Sequence, residues 1–189
     1  MLFVFLHGKG SDKDAYSEQL KALANSISAD FTSFNAPFDS PTKGGKFLWF
    51  NKDENSERRD AIKSEYLFAL DYIKTKLNDL NHPLSDIVLI GHSQGGGMAV
   101  AVALKMNLKV AISICGDLPY NLEYQNKSQT PIYWLEGKLD AYLNQDRKNS
   151  YKILNELGAD LHYQITNISH NDIDIAFEEI KNILGNLHP

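Results

Sequence analysis

The stretch Asp86-Ile87-Val88-Leu89-Ile90-Gly91-His92-Ser93-Gln94-Gly95-Gly96-Gly97 decides how this chain is read. A short apolar run ends in Gly-x-Ser-x-Gly and gives way to small residues. This is the sequence form of a tight strand-to-helix turn that presents a serine hydroxyl. The demand is steric. Ser93 has to take a strained backbone conformation, and Gly91 and Gly95 supply the missing bulk on either side. A helix starting beneath the hydroxyl turns its unpaired amides and positive end toward any negative charge formed there. Gly96, Gly97, Ala99, Ala101 and Ala103 let that helix lie close on a sheet. The plainer alternative is a buried strand-turn-helix whose serine only caps the helix.

Upstream of this turn, Leu2 to Leu6 is wholly apolar, the pattern of a strand buried on both faces. It runs into His7-Gly8-Lys9-Gly10-Ser11-Asp12, a glycine-rich turn whose backbone amides can face a ligand. A helix is predicted from Ala15 to Ile27 and a strand from Phe31 to Phe34. Residues 36–56 form a long connection containing Phe47, Trp49 and Phe50, aromatics that either wall an apolar pocket or fold back onto the core. This connection is the one substantial candidate for a lid. Ile62, Tyr66, Ala69, Leu70, Ile73, Leu77 and Leu80 mark one face of a long helix, stopped by Asn81-His82-Pro83.

Downstream, strands are predicted at Val110–Cys115, Pro131–Leu135 and Leu161–Ile165. A helix from about Gln145 to Leu157 turns Tyr151, Leu154 and Leu157 inward, and a last helix carries Ile173, Ala176, Phe177, Ile180, Ile183 and Leu184. Strand and helix alternate throughout. The fold class is therefore α/β: one domain over residues 1–189, a mostly parallel sheet of about six strands, helices on both faces and no separate cap domain. The chain opens at the strand before the glycine turn, so an exposed sheet edge is expected there.

Composition narrows the function classes. The chain has 189 residues, 43% of them apolar, which is enough for a sizeable core. A formal net charge of −5 argues against nucleic acid or an anionic membrane as the main partner. No apolar run approaches the roughly 20 residues of a membrane helix. The N-terminus lacks the basic leader and cleavage site of a signal peptide, and a single cysteine, Cys115, allows no internal disulfide. A soluble protein of a reducing compartment, most simply the cytoplasm, is expected, with Cys115 a small buried hydrophobe.

A serine hydroxyl attacks a carbonyl only when a base takes its proton, and a carboxylate has to orient that base. Six histidines compete for the role. His188 is terminal, His82 stops a helix, His162 is fixed within a strand, His92 cannot turn back onto its neighbour, and His7 shapes the first turn. His170 alone lies in a loop after the last strand and before the last helix, where an imidazole can arrive over Ser93. Asp140, after the glycine turn Glu136-Gly137, is the favoured acid; Asp117 and Glu136 are its reserves. The order Ser, Asp, His suits either aspartate. Two backbone amides complete the site, that of Gln94 and one from the first glycine turn, best placed at Lys9. In both the backbone acts, so side-chain identity is expected to matter little.

Several blocks, in order, resemble the phospholipase/carboxylesterase family, the acyl-protein-thioesterase-like branch of the α/β-hydrolases. They are Leu6-His7-Gly8-Lys9-Gly10-Ser11-Asp12, Asn35-Ala36-Pro37, Trp49-Phe50, Gly91-His92-Ser93-Gln94-Gly95-Gly96, Ser113-Ile114-Cys115-Gly116-Asp117-Leu118-Pro119 and Asp140 with His170. The resemblance covers nearly the whole chain. It implies an α/β-hydrolase fold and hydrolysis of carboxylic esters or thioesters, possible acylated proteins among them, without a metal or organic cofactor. It further implies catalytic roles for Ser93, Asp140 and His170, amide donors at Lys9 and Gln94, and substrate contacts from Trp49, Phe50 and Leu118. Two blocks depart from the family pattern: Glu136-Gly137 stands where His-Gly is usual, and Leu143-Asn144 where Val-Pro is often found. Competing expectations are another acyl hydrolase on the same scaffold (lipase-, dienelactone-hydrolase- or peptidase-like) and a non-catalytic ligand-binding protein.

Overall fold

The computed structural model describes residues 1–42, 44–51, 59–119, 122–142 and 145–186. Among them the elements run β1 (Leu2–Leu6), α1 (Ser17–Ser26), β2 (Asp30–Ser33), β3 (Phe38–Asp39), β4 (Phe47–Leu48), α2 (Arg59–Asp79), β5 (Ile87–His92), α3 (Gln94–Ala103), β6 (Val110–Ile114), β7 (Ile132–Gly137), α4 (Gln145–Glu156), β8 (Leu161–Thr166) and α5 (Ile173–Asn186). Six strands form one sheet in the order β2-β1-β5-β6-β7-β8. Every neighbouring pair in it is parallel. Each connection is thus a crossover, and each crossover lays cover on one face of the sheet.

The strand sequences follow from that cover. β1, β5 and β6 are buried along their whole length, so they read as nearly continuous apolar runs, interrupted by Ser113 in β6 and His92 at the end of β5. Alternate residues divide between two core layers. Val4, Leu6 and Leu89 face α2, α3 and α4, where Ile73, Leu77, Val100 and Leu154 meet them. Phe3, Phe5, Val88 and Ile90 face α1 and α5, against Leu20, Leu23, Phe177 and Ile180. Both predicted apolar faces, on the long helix and on the last one, lie where their spacing puts them. β2 is one edge of the sheet and β8 is the other, whereas β1, where an exposed edge was expected, lies inside it between β2 and β5.

Two expectations change. The connection 36–56 is not featureless: β3 and β4 pair as a short antiparallel ribbon. The ribbon is tied to the first glycine turn through Gly10 N–H to the Phe47 carbonyl (2.7 Å) and Phe47 N–H to the Ser11 carbonyl (3.0 Å). Two-residue strands are too short to show any period in sequence. Residues 43 and 52–56 of the candidate lid lie outside the described residues. Tyr151 does not point inward; it is 42% exposed and its ring packs on Tyr163 at 4.8 Å. Among the described residues Leu154 is the buried hydrophobic member of α4, and Tyr151 instead meets an exposed ring of the edge strand β8.

The closest packing is between α3 and the carboxyl ends of the strands. A Cβ on Gly91 would lie 2.1 Å from the Gly95 carbonyl oxygen, and one on Gly95 would lie 2.2 Å from the Leu6 carbonyl oxygen. Both obstacles are backbone, which cannot turn aside. Gly185, in α5, has open space around it. Gly95→Ala is therefore expected to cost about 3 kcal/mol or to prevent folding. Gly185→Ala is expected to be neutral or to stabilise by about 0.5 kcal/mol, because it only removes a glycine from a helix. Chemical denaturation of the two variants checks the contrast.

Candidate active site

β5 ends at His92, and the chain turns at Ser93 with φ 54° and ψ −120°. Few side chains tolerate this conformation, and it directs the serine outward from the edge of the sheet. The Ser93 N–H is held by the Ile114 carbonyl at 2.9 Å, which fixes the turn against the end of β6. Cys115, next along that edge, also has a left-handed backbone, with φ 50°. Gln94 is the first residue of α3, so its amide has no intrahelical acceptor. A Cβ on Gly8 would stand 3.5 Å from Ser93 Cβ, so the first glycine turn, with Lys9 next in it, borders the serine.

Across this edge lies the loop between β8 and α5. His170 Nε2 is 3.0 Å from Ser93 Oγ, and His170 Nδ1 is 2.7 Å from Asp140 Oδ2. A carboxylate oxygen accepts only, so Nδ1 carries the ring proton and Nε2 faces the serine hydroxyl as an acceptor. The Asp140 side chain is fully buried and that of His170 is 15% exposed. Of the three carboxylates weighed from sequence, Asp140 is the one on His170 Nδ1. The sheet register explains the choice. β7 and β8 pair through Gly137 and Thr166, and Leu139 N–H then reaches the Ile168 carbonyl (3.1 Å), which brings the two loops together. Glu136 is instead buried near the end of β7, and Asp117 lies above α3, its carbonyl oxygen 2.0 Å from a Cβ built on Gly97.

The tentative contact residues lie deeper. Trp49 and Leu118 are fully buried and Phe50 is 4% exposed, all within the core layer that contains α2 and α3. Trp49 Nε1–H donates to the His7 carbonyl at 2.8 Å. Leu143 and Asn144 lie outside the described residues. Tyr142, beyond the acid, sets its ring 4.7 Å from that of His170 and is 66% exposed.

Three polar side chains have roles that spacing alone does not reveal. Gln94 was expected to matter through its backbone, yet its buried amide accepts from Trp49 N–H (2.8 Å) and donates to the Phe50 carbonyl (2.7 Å). It thereby pins residues 49–50 to the nucleophile turn, while Asn51 N–H is held by Glu65 (2.7 Å). An amide among glycines and alanines was the available signal. His7 is completely buried; its Nδ1–H donates to the Gly8 carbonyl (2.8 Å) and its Nε2 accepts from Ala36 N–H (3.0 Å). Burial lowers the His7 pKa below its usual value, against smaller upward pulls from the Gly8 hydrogen bond and the Asp12 charge. His92 Nε2 lies 2.8 Å from the His170 carbonyl oxygen.

One group among the described residues has donor atoms close enough to hold a metal: Cys115 Sγ, Asp140 and His170, all within 4.8 Å of one another. Both imidazole nitrogens of His170 are already engaged, by Asp140 and by Ser93. The set is better suited to holding a proton than an ion.

A strained serine between two glycines, a histidine over its hydroxyl and a buried carboxylate behind that histidine narrow the family sharply. The family model for phospholipase/carboxylesterase matches residues 1–188. The chain belongs to the phospholipase/carboxylesterase family. As a member of that family it is a hydrolase. Among sequence relatives of this hydrolase, acyl-protein thioesterase 1 of Debaryomyces hansenii is 26% identical over 82% of this chain and 76% of its own. SOBER1 of Arabidopsis thaliana has the same fold, with a TM-score of 0.77 at 19% identity over 100% of this chain and 99% of its own. Acyl-protein thioesterase 2 of Zea mays has it with a TM-score of 0.76 at 18% identity, over 98% and 93% of the two chains. Among the described residues no helix is long and apolar enough to cross a membrane.

Two outcomes are expected of this hydrolase. Gln94→Met keeps the volume but leaves the Trp49 amide and the Phe50 carbonyl without partners; about 2 kcal/mol or more of stability should be lost in denaturant titrations. His7 binds its proton less readily when folded than when unfolded. The unfolded chain therefore takes up more protons, and stability falls as pH drops below about 6.5. Thermal melts from pH 8 to pH 5 should show that decline, and His7→Gln should flatten it.

Proposed function

We propose that this protein cleaves carboxylic esters or thioesters through an acyl-enzyme on Ser93. The reading rests on one observation, the hydrogen-bond series from buried Asp140 through His170 to Ser93 Oγ. In the first half-reaction Ser93 Oγ attacks the carbonyl carbon while His170 Nε2 takes the hydroxyl proton. The carbonyl electrons move onto oxygen, where the amides of Lys9 and Gln94 receive the charge. Asp140 holds the doubly protonated imidazolium without taking its proton. The bond to the leaving oxygen or sulfur then breaks, and His170 returns the proton to the departing alcohol or thiol. In the second half a water molecule repeats the sequence on the acyl-serine, releasing the acid and restoring Ser93.

Trp49, Phe50 and Leu118 take part from below in this reading, as the packed support of the substrate site. The name of the relative acyl-protein thioesterase 1 supports acyl chains carried on sulfur, acylated proteins included, as substrates in this reading. Residues 1–189 act as one domain, in the cytoplasm, where Cys115 remains a thiol. No metal or organic cofactor takes part in this cycle.

The test is a panel of p-nitrophenyl esters of increasing acyl length, one acyl thioester and one peptide, with fluorophosphonate labelling alongside. Wild-type protein should hydrolyse the esters or the thioester, and it should be labelled. Ser93→Ala should lose at least about 10⁴-fold in kcat and all labelling, while melting at an unchanged temperature. Retained labelling or turnover in that variant removes Ser93 from the mechanism. A wild-type chain inert to every probe, yet stabilised by a ligand, transfers the fold to a binding role.

A further inference from the structure

We propose that His92 is a positioning residue that holds the main chain of His170 in register with Ser93; the inference rests on the hydrolase reading above. His92 is 6% exposed, and its Nε2 lies 2.8 Å from the His170 carbonyl oxygen. A carbonyl oxygen only accepts, so His92 Nε2 carries a hydrogen and donates it. The rings of the two histidines lie 5.0 Å apart.

The contact closes a ring of bonds. Ser93 is joined through the peptide bond to His92, the His92 side chain reaches the His170 carbonyl, and the His170 side chain returns to Ser93 Oγ. The base is thus held at two points. Asp140 sets the rotation of its imidazole, and His92 sets the position of the backbone that carries it. The side chain that steadies His170 belongs to the residue before Ser93, so displacement of the turn carries the base with it.

His92 is itself braced on its remaining sides. A Cβ on Gly8 would come 3.1 Å from its Nδ1, so the first glycine turn packs directly against the ring. The Tyr16 ring meets it edge-on at 6.1 Å and also meets Phe177 of α5 at 6.4 Å. The imidazole therefore sits as a wedge between the turn bearing Lys9 and the loop bearing His170. Both halves of the reaction use that turn and that base, whereas the bound substrate does not depend on the His92 N–H. Loss of the donor should lower kcat and leave KM alone.

The experiment compares His92→Phe, a ring of similar shape with no donor, with His92→Gln, whose side-chain amide restores an N–H. The variants are measured beside the wild type and Ser93→Ala for ester kcat and KM, fluorophosphonate labelling rate and thermal melting. His92→Phe should melt close to the wild-type temperature while kcat and labelling fall about 10- to 100-fold, the scale of a misplaced catalytic group. KM should stay within about twofold, and His92→Gln should recover most of the loss. Wild-type kcat in His92→Phe overturns the proposal. So does a His92→Gln variant no more active than His92→Phe, because packing alone then explains the defect. If His92→Phe does not fold, His92→Met takes its place in the same comparison. Should the wild type neither turn over nor label, the hydrolase reading is what fails; an active wild type with an indifferent His92→Phe sinks only the positioning role.

Discussion

The depth at which α3 settles against the strand ends governs the rest of the molecule. Gly91, Gly95 and Gly97 meet carbonyl oxygens so closely that a single methyl group at any of them would lift the helix. With α3 seated, Ser93 takes its left-handed turn, Gln94 reaches residues 49–50, and the serine oxygen lies within hydrogen-bond distance of His170. A displacement of one ångström would loosen all three together. Steric permission at a few positions thus precedes every polar interaction in the site.

The polar interactions share a second property: each uses a side chain twice. His7 donates through one ring nitrogen and accepts through the other, which suits only the neutral imidazole. Gln94 does the same with its amide oxygen and nitrogen. His170 donates to Asp140 and accepts from Ser93. Pairing a donor with an acceptor in one buried side chain leaves little uncompensated polarity, which is how a layer this polar is tolerated beside a dry core. It also gives each side chain a preferred orientation before any substrate arrives.

Much of this was legible before the fold was known. Alternating apolar segments indicated the parallel sheet, and Gly-x-Ser-x-Gly between a strand and a helix located Ser93. Its place beyond the last predicted strand singled out His170, and the structure sets that ring within reach of Ser93 Oγ. The carboxylate was less clear, because Asp117 and Asp140 both follow strands; the register of β7 with β8 brings Asp140 to the His170 ring, and register is a tertiary fact. Other features had no local signature. The Gln94 side chain acts across 44 and 45 positions and His92 across 78. The two-residue strands show no period, and Tyr151 obeys helical spacing yet is exposed, its ring against Tyr163 of the edge strand β8.

The strand order carries a consequence for synthesis. β1 lies next to the β2 edge and β8 is the opposite edge, so from β1 to β8 the sheet grows outward as the chain lengthens. His170 follows β8, and the α5 residues that seal the layer behind it come later still. A chain still being made can therefore seat the Ser93 turn among its neighbouring strands before His170 has joined it. The contact between Ser93 and His170 thus closes only after β8 has joined the sheet, which makes that pair one of the later parts of the fold to assemble.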